Sequence, residues 1–193
     1  MISPLYRVRG PIFYRLVPAF AAGILAFLFI VFFWDPSARA IQVDIGRIPP
    51  IEVYFSPRNG ATTAIVREID RAQSEIRVQA YSFTSAPIAQ ALLKAHKRGI
   101  RVEVILDKSQ KTQRYSSSTF LMNASIPTYI DAEHAIAHNK IILIDRSVVI
   151  TGSFNFTKAA EEKNAENLLI IRSAELAKPY LDNWLYHRNH SLS

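Results

Sequence analysis

His138 and Lys140 stand two positions apart, Asp145 follows five later, Ser153 and Asn155 flank a phenylalanine, and Glu166 opens the next apolar run. The intervening stretches are β-branched and apolar, as expected of neighbouring strands. Side chains alternate faces along a strand, so His138 and Lys140 share a face, as do Ser153 and Asn155. An imidazole whose one nitrogen is held by a carboxylate such as Glu166 presents the other as nucleophile or base. An ammonium and an amide placed beside it suit the charge that develops on oxygens around an attacked phosphorus. Ser153 adds a hydroxyl donor, and Gly152 permits close backbone approach. Asp145 has the opposite parity and falls in the polar turn Asp145-Arg146-Ser147. It therefore reads as a brace or an ion-pair partner more than as a group on the same substrate atom. No metal is needed, and one His and one Glu with a competing lysine make a poor ligand set. A lone His or Lys in a strand is ordinarily structural; the conjunction of these groups is what points to chemistry.

The elements that must position these residues alternate. Ile51–Ser56 reads as a strand stopped by Pro57-Arg58-Asn59-Gly60, and Ala61–Ala72 as a helix with Ala61, Ala64, Ile65, Ile69 and Ala72 on one face. Ile76–Phe83 alternates as a strand. Ala86–Arg98 is a helix with Pro87 in its first turn and Gly99 closing it. Strands follow at Val102–Asp107, Ile126–Ile130, His138–Ile144, Val148–Thr151 and Asn167–Arg172, with a short helix at Thr119–Ala124 and a closing helix at Ala174–His187. The pattern predicts an α/β sandwich with a mixed, largely parallel sheet. The polar stretch Lys108–Ser118, with Lys108, Lys111, Arg114 and Tyr115, reads as a solvated loop that can also serve as a basic rim.

The chain has no cysteine, which excludes disulfides, thiolate metal sites and cysteine nucleophiles. The formal charge is +7. Residues 1–40 hold four of the 23 basic and one of the 16 acidic residues, so the remainder keeps a surplus of four, compatible with an anionic partner. Leu16–Trp34 is an uncharged run of 19 residues, preceded by Arg7, Arg9 and Arg15. A helix of that length roughly spans the ~30 Å hydrocarbon core of a bilayer, and the flanking charges place the N-terminus in the cytoplasm. Ala38-Arg39-Ala40 also has the small-x-small pattern of a signal-peptidase site. Residues 1–40 are thus expected to be a transmembrane anchor or a removed signal, 41–50 a linker, and 51–193 an exported, periplasmic or extracytoplasmic domain.

His138, Lys140, Asp145, Gly152, Ser153, Asn155 and Glu166 together resemble the signature of the phospholipase D superfamily. Tyr54–Pro57, Gln79–Thr84, Lys97-Arg98-Gly99 and Gly152–Glu161 resemble its small bacterial endonuclease branch, and the likeness covers roughly residues 51–187. The resemblance implies a phospholipase D-like α/β/α sandwich and catalysis by His138, Lys140, Asp145 and Glu166, with Lys140, Ser153 and Asn155 binding phosphate. Asp145 is mainly structural in that family. No metal or cofactor is implied. With one motif copy and no internal repeat, such a chain is expected to form a homodimer in which two motifs meet at the two-fold axis.

On these grounds the chain is expected to be a metal-independent phosphodiesterase that cleaves DNA, and RNA as a further substrate, with little sequence preference through a phosphohistidine. The alternatives are a phospholipase or phosphatidyl transferase at the membrane surface, and a non-catalytic nucleic-acid clamp. Among the other histidines, His134 reads as an exposed loop residue, His96 as a helix-end residue, and His187 and His190 as parts of the tail. Trp184 and Tyr180 read as core contacts.

Overall fold

The computed structural model describes Gly46, residues 49–112 and residues 116–192. The expected hydrophobic segment at 16–34, most of the 41–50 linker, and Arg114 and Tyr115 lie outside the described residues. Among the described residues no helix is long and apolar enough to cross a membrane.

Seven strands, β1 (Ile51–Ser56), β2 (Glu75–Ala80), β3 (Arg101–Asp107), β4 (Thr128–Asp131), β5 (Lys140–Ile144), β6 (Val148–Gly152) and β7 (Glu166–Arg172), form one sheet. Its order is β1-β7-β6-β5-β2-β3-β4. The helices are α1 (Ala61–Arg71), α2 (Ala86–Lys97), α3 (Ser118–Asn123), α4 (Lys158–Glu162) and α5 (Ala174–His190). Side chains of alternating parity divide the core. Ile76, Val78, Val104, Ile142 and Ile150 pack with Ile65, Ile69, Ile88 and Leu92 of α1 and α2. Ile105, Ile141, Leu143 and Val149 point the other way and meet Ala177 and Trp184 of α5. The result is an α/β/α sandwich.

The sheet is mixed, but it is not largely parallel. β2–β3 and β3–β4 pair parallel, whereas β2–β5, β5–β6, β6–β7 and β1–β7 pair antiparallel. A helix connects β2 to β3, which permits a parallel crossover. The Ala132–Asn139 loop contains no helix, so β5 starts at the edge where β4 ends and runs back beside β2. β5 and β6 are joined by a tight turn in which Asp145 and Arg146 have φ of 51° and 53°, the type I′ geometry that suits a hairpin.

This topology gathers one set of strand ends along one edge of the sheet: Ser56, Ala80, Asp107, Asp131, Lys140, Gly152 and Glu166. α1 begins at Gly60, whose φ is 79° and which offers no side-chain cap. The cap comes from α4 instead. Glu161 accepts from the Gly60 and Thr62 amides at 3.2 and 2.8 Å, placing a carboxylate at the positive end of the helix.

Candidate active site

His138 lies two residues before β5, outside regular structure, and is exposed. The strand itself begins only at Lys140, later than the sequence suggests. The imidazole packs against Tyr81, with ring centroids 4.5 Å apart and planes tilted by 52°. Tyr81 follows β2, whose Ala80 is in register with Lys140, and its amide donates to the Asn139 carbonyl at 2.8 Å. Lys140 is buried; its Nζ donates to the His138 carbonyl at 2.6 Å and lies 5.2 Å from the Tyr81 ring centre. Tyr81 thus touches both the imidazole and the ammonium, a cation–π arrangement with the second. No sequence spacing connects Tyr81 to His138, because only the β2–β5 register brings them together.

Burial lowers the Lys140 pKa, and the nearby Glu166 carboxylate opposes that shift. Glu166 starts β7, half-buried, and accepts from Asn164 Nδ2 at 3.1 Å. Among the described residues no hydrogen bond joins Glu166 to the His138 ring; its charge acts on Lys140.

Gly152 ends β6 where a side chain has no room. A Cβ there would lie 2.3 Å from the Asn167 carbonyl oxygen, and φ is 151°. The close approach lets the Asn167 carbonyl accept from the Ser153 and Phe154 amides at 3.1 and 3.2 Å. Ser153 Oγ accepts from the Asn167 backbone and side-chain amides at 3.0 and 3.3 Å. Asn155 is half-buried between the buried Phe154 and Phe156, and its Oδ1 is buried without a partner.

Asp145 is not brought to this edge. It lies five positions along the chain from Lys140, about 16 Å at ~3.3 Å per residue. Its Oδ1 accepts from the Ser74 amide, the Ser74 hydroxyl and the Glu75 amide at 2.8, 2.8 and 3.0 Å, and its Oδ2 from the Gln73 amide at 2.8 Å. It braces the hairpin turn against the start of β2.

The remaining histidines depart from the expected reading, apart from His96 near the end of α2. α5 continues to His190, so His187 is a buried helical residue and not part of a tail. His134 is not a free loop residue either: with His187 and His190 it contacts the buried Asp131. Trp184 is core, as expected, and donates to the Val78 carbonyl at 2.9 Å.

Residues 65–186 match the family model described as cardiolipin synthase, PLD-like domain. A protein named phospholipase D from Rickettsia felis is 48% identical over 135 residues, covering 70% of this chain and 68% of that protein. The chain belongs to the phospholipase D superfamily. Mitochondrial cardiolipin hydrolase from Mus musculus is 31% identical over 120 residues, 62% of this chain and 54% of that protein. Among solved structures, the phospholipase D family member Nuc from Salmonella typhimurium superposes with a TM-score of 0.71 at 40% identity, covering 74% of this chain and 96% of that one. NucT from Helicobacter pylori shares the fold, with a TM-score of 0.65 at 22% identity. Like other members of the superfamily, and within its small bacterial Nuc-like branch, this chain is a phosphodiesterase.

Proposed function

We propose that the chain is a metal-independent endonuclease that cleaves DNA, and RNA as a further substrate, with little sequence preference. The observation that carries this choice is the lining of the groove that shares Tyr81 with the histidine. Tyr81, Ser82, Ser109, Gln110 and Thr112 form it, hydroxyls and an amide where an acyl chain would need apolar walls. Lys108 and Lys111 flank the groove in sequence and suit a polyanion. The 40% identity to Nuc supports the same reading.

In this mechanism a nitrogen of His138 attacks phosphorus; an N–P bond forms as the P–O bond to one of the two flanking nucleosides breaks. The departing oxygen takes its proton from the second His138 of a homodimer. That histidine then removes a proton from water, which attacks the phosphohistidine, and the N–P bond breaks. Lys140 and Asn155 hold the non-bridging oxygens, with Ser153 keeping the Asn155 loop in place. Glu166 favours the ammonium form of Lys140 and, across the assembled site, orients an imidazole. Dimer formation is supported by β1, an edge strand whose Ile51, Val53 and Phe55 are 45%, 51% and 60% exposed. An exported, periplasmic location, with the chain membrane-anchored if residues 16–34 are retained, completes the proposal.

The second reading, lipid phosphodiester cleavage or transfer at a membrane, draws on the names of the Rickettsia and mitochondrial relatives. One experiment separates the two. The purified chain and His138→Ala are incubated with plasmid DNA and with phosphatidylcholine vesicles in excess EDTA. Nicking by the parent alone supports the nuclease; choline release without nicking supports the lipid enzyme; silence on both substrates favours a non-catalytic clamp.

A further inference from the structure

Three histidines that play no part in the histidine chemistry converge on one carboxylate. Asp131 closes β4, and its side chain is 0% exposed. Its Oδ2 lies 2.8 Å from His187 Nδ1, 3.2 Å from His134 Nδ1 and 3.4 Å from His190 Nε2. One ligand atom from each of the four residues lies within 4.8 Å of all the others. His187 and His190 sit three apart on α5 and so share a helix face, while Asp131 and His134 come from the end of β4 and the loop after it.

A tetrahedral zinc ion with bonds of ~2.0–2.1 Å separates its ligand atoms by about 3.3 Å. The three nitrogen-to-carboxylate distances already bracket that value, and small side-chain rotations close the rest. The surroundings fit a ligand set as well. Asp131 Oδ1 accepts from the Glu133 amide at 3.2 Å, which fixes the carboxylate. His190 Nδ1, the nitrogen facing away from Asp131, lies 3.5 Å from Glu133 Oε2, the outer carboxylate that commonly stands behind a metal-bound imidazole. Three imidazoles and one carboxylate favour zinc(II) over magnesium or calcium, which prefer all-oxygen sites.

We propose that Asp131, His134, His187 and His190 bind one zinc ion per chain in a closed, structural site. It fastens the end of α5 to β4 and anchors the near end of the loop that delivers His138. The same corner is held by the Ile130–Leu192 backbone pair and by Lys108 Nζ donating to the His134 carbonyl at 2.9 Å. Four protein donors leave the ion no open position for substrate, so the zinc takes no part in phosphodiester cleavage. Zinc binding and EDTA-resistant cleavage are therefore separate readouts, and either can fail alone.

The test uses the full chain in detergent, without a polyhistidine tag, stripped with EDTA and dialysed. Titration with zinc chloride is followed by calorimetry, elemental analysis and thermal unfolding. The expected result is one zinc per chain and a Tm rise on the order of 5–10 °C at a hundredfold excess over Kd; magnesium at the same concentration leaves Tm unchanged. His138→Ala binds zinc like the parent. His190→Ala and His134→Ala each weaken binding by about a hundredfold or more; His134 is 38% exposed, so its variant guards against a folding failure in the helix. A parent chain that takes up no stoichiometric zinc overturns the proposal. So does binding that survives both histidine variants and disappears in His138→Ala.

Discussion

Replacing Asp145 separates a structural role from a chemical one at a motif position where sequence alone leaves both open. The carboxylate accepts four hydrogen bonds, from Gln73, Ser74 twice and Glu75. A hydrogen bond to a charged group contributes about 1.5–3 kcal/mol when buried, but water can replace the bonds at the exposed Gln73 and Ser74 amides, so Asp145→Ala should cost about 2–4 kcal/mol in total. For a chain of this size that lowers Tm by about 5–15 °C. Asp145→Asn should lose less, because its oxygen keeps part of the set and asparagine tolerates the φ of 51°. Burial alone would raise the Asp145 pKa, but hydrogen bonds from Glu75, Gln73 and Ser74 lower it below its ordinary value. The stability it contributes is therefore present above the unfolded-state pKa and lost as pH falls through the folded one; in Asp145→Ala that part of the acid sensitivity should vanish. Measured below the unfolding range, kcat should stay within about threefold of the parent, less than ~1 kcal/mol of barrier. A hundredfold fall in kcat with Tm unchanged would refute the brace.

Gly152→Ala should be far more damaging. Its Cβ would meet the Asn167 carbonyl at 2.3 Å, and relief requires the β6–β7 pairing to part, so loss of soluble protein or of about 3 kcal/mol or more is expected in denaturant unfolding. Tyr81→Phe should keep most activity on plasmid DNA, because only the ring faces His138 and Lys140, whereas Tyr81→Ala should lower kcat by tenfold or more. Glu161→Gln should weaken the start of α1, lowering stability by about 0.5–2 kcal/mol without changing kcat on DNA. Glu52 is held at a pKa of about 2 by hydrogen bonds from Tyr54 and Arg67. Its contribution should be complete above its ordinary pKa of 4.5 and fade down to about 2, so Glu52→Gln should flatten the Tm–pH curve in that window.

Much of the architecture is legible in the sequence because strands buried on both faces leave β-branched runs, as at Lys140–Ile144, where every residue is buried. Strand direction leaves no such mark. The helix-free Ala132–Asn139 loop turns β5 antiparallel to β2, and β6 and β7 pair antiparallel even though α4 lies between them. The alternation Ile76-Arg77-Val78-Gln79 suggests a half-exposed strand, yet α5 covers that face and all of β2 is buried. Arg77 survives there through ion pairs with Glu75 and Glu103 and through Trp184, whose ring centre is 5.1 Å away. Local spacing reveals His138 and Lys140 as a pair, and parity separates Asp145 from them. Tyr81 and the Asp131 cluster come together only through long-range register and the return of α5, which no local pattern encodes.

In the proposed reaction His138 is the nucleophile. A direct test mixes the chain with an oligonucleotide carrying ³²P at the scissile phosphate, in excess EDTA, and quenches with alkali during turnover. Label should be recovered on the protein at His138, stable to base and released by mild acid, and it should be absent from His138→Ala. Turnover without any protein-bound label, or turnover that depends on an added divalent metal, would contradict the account.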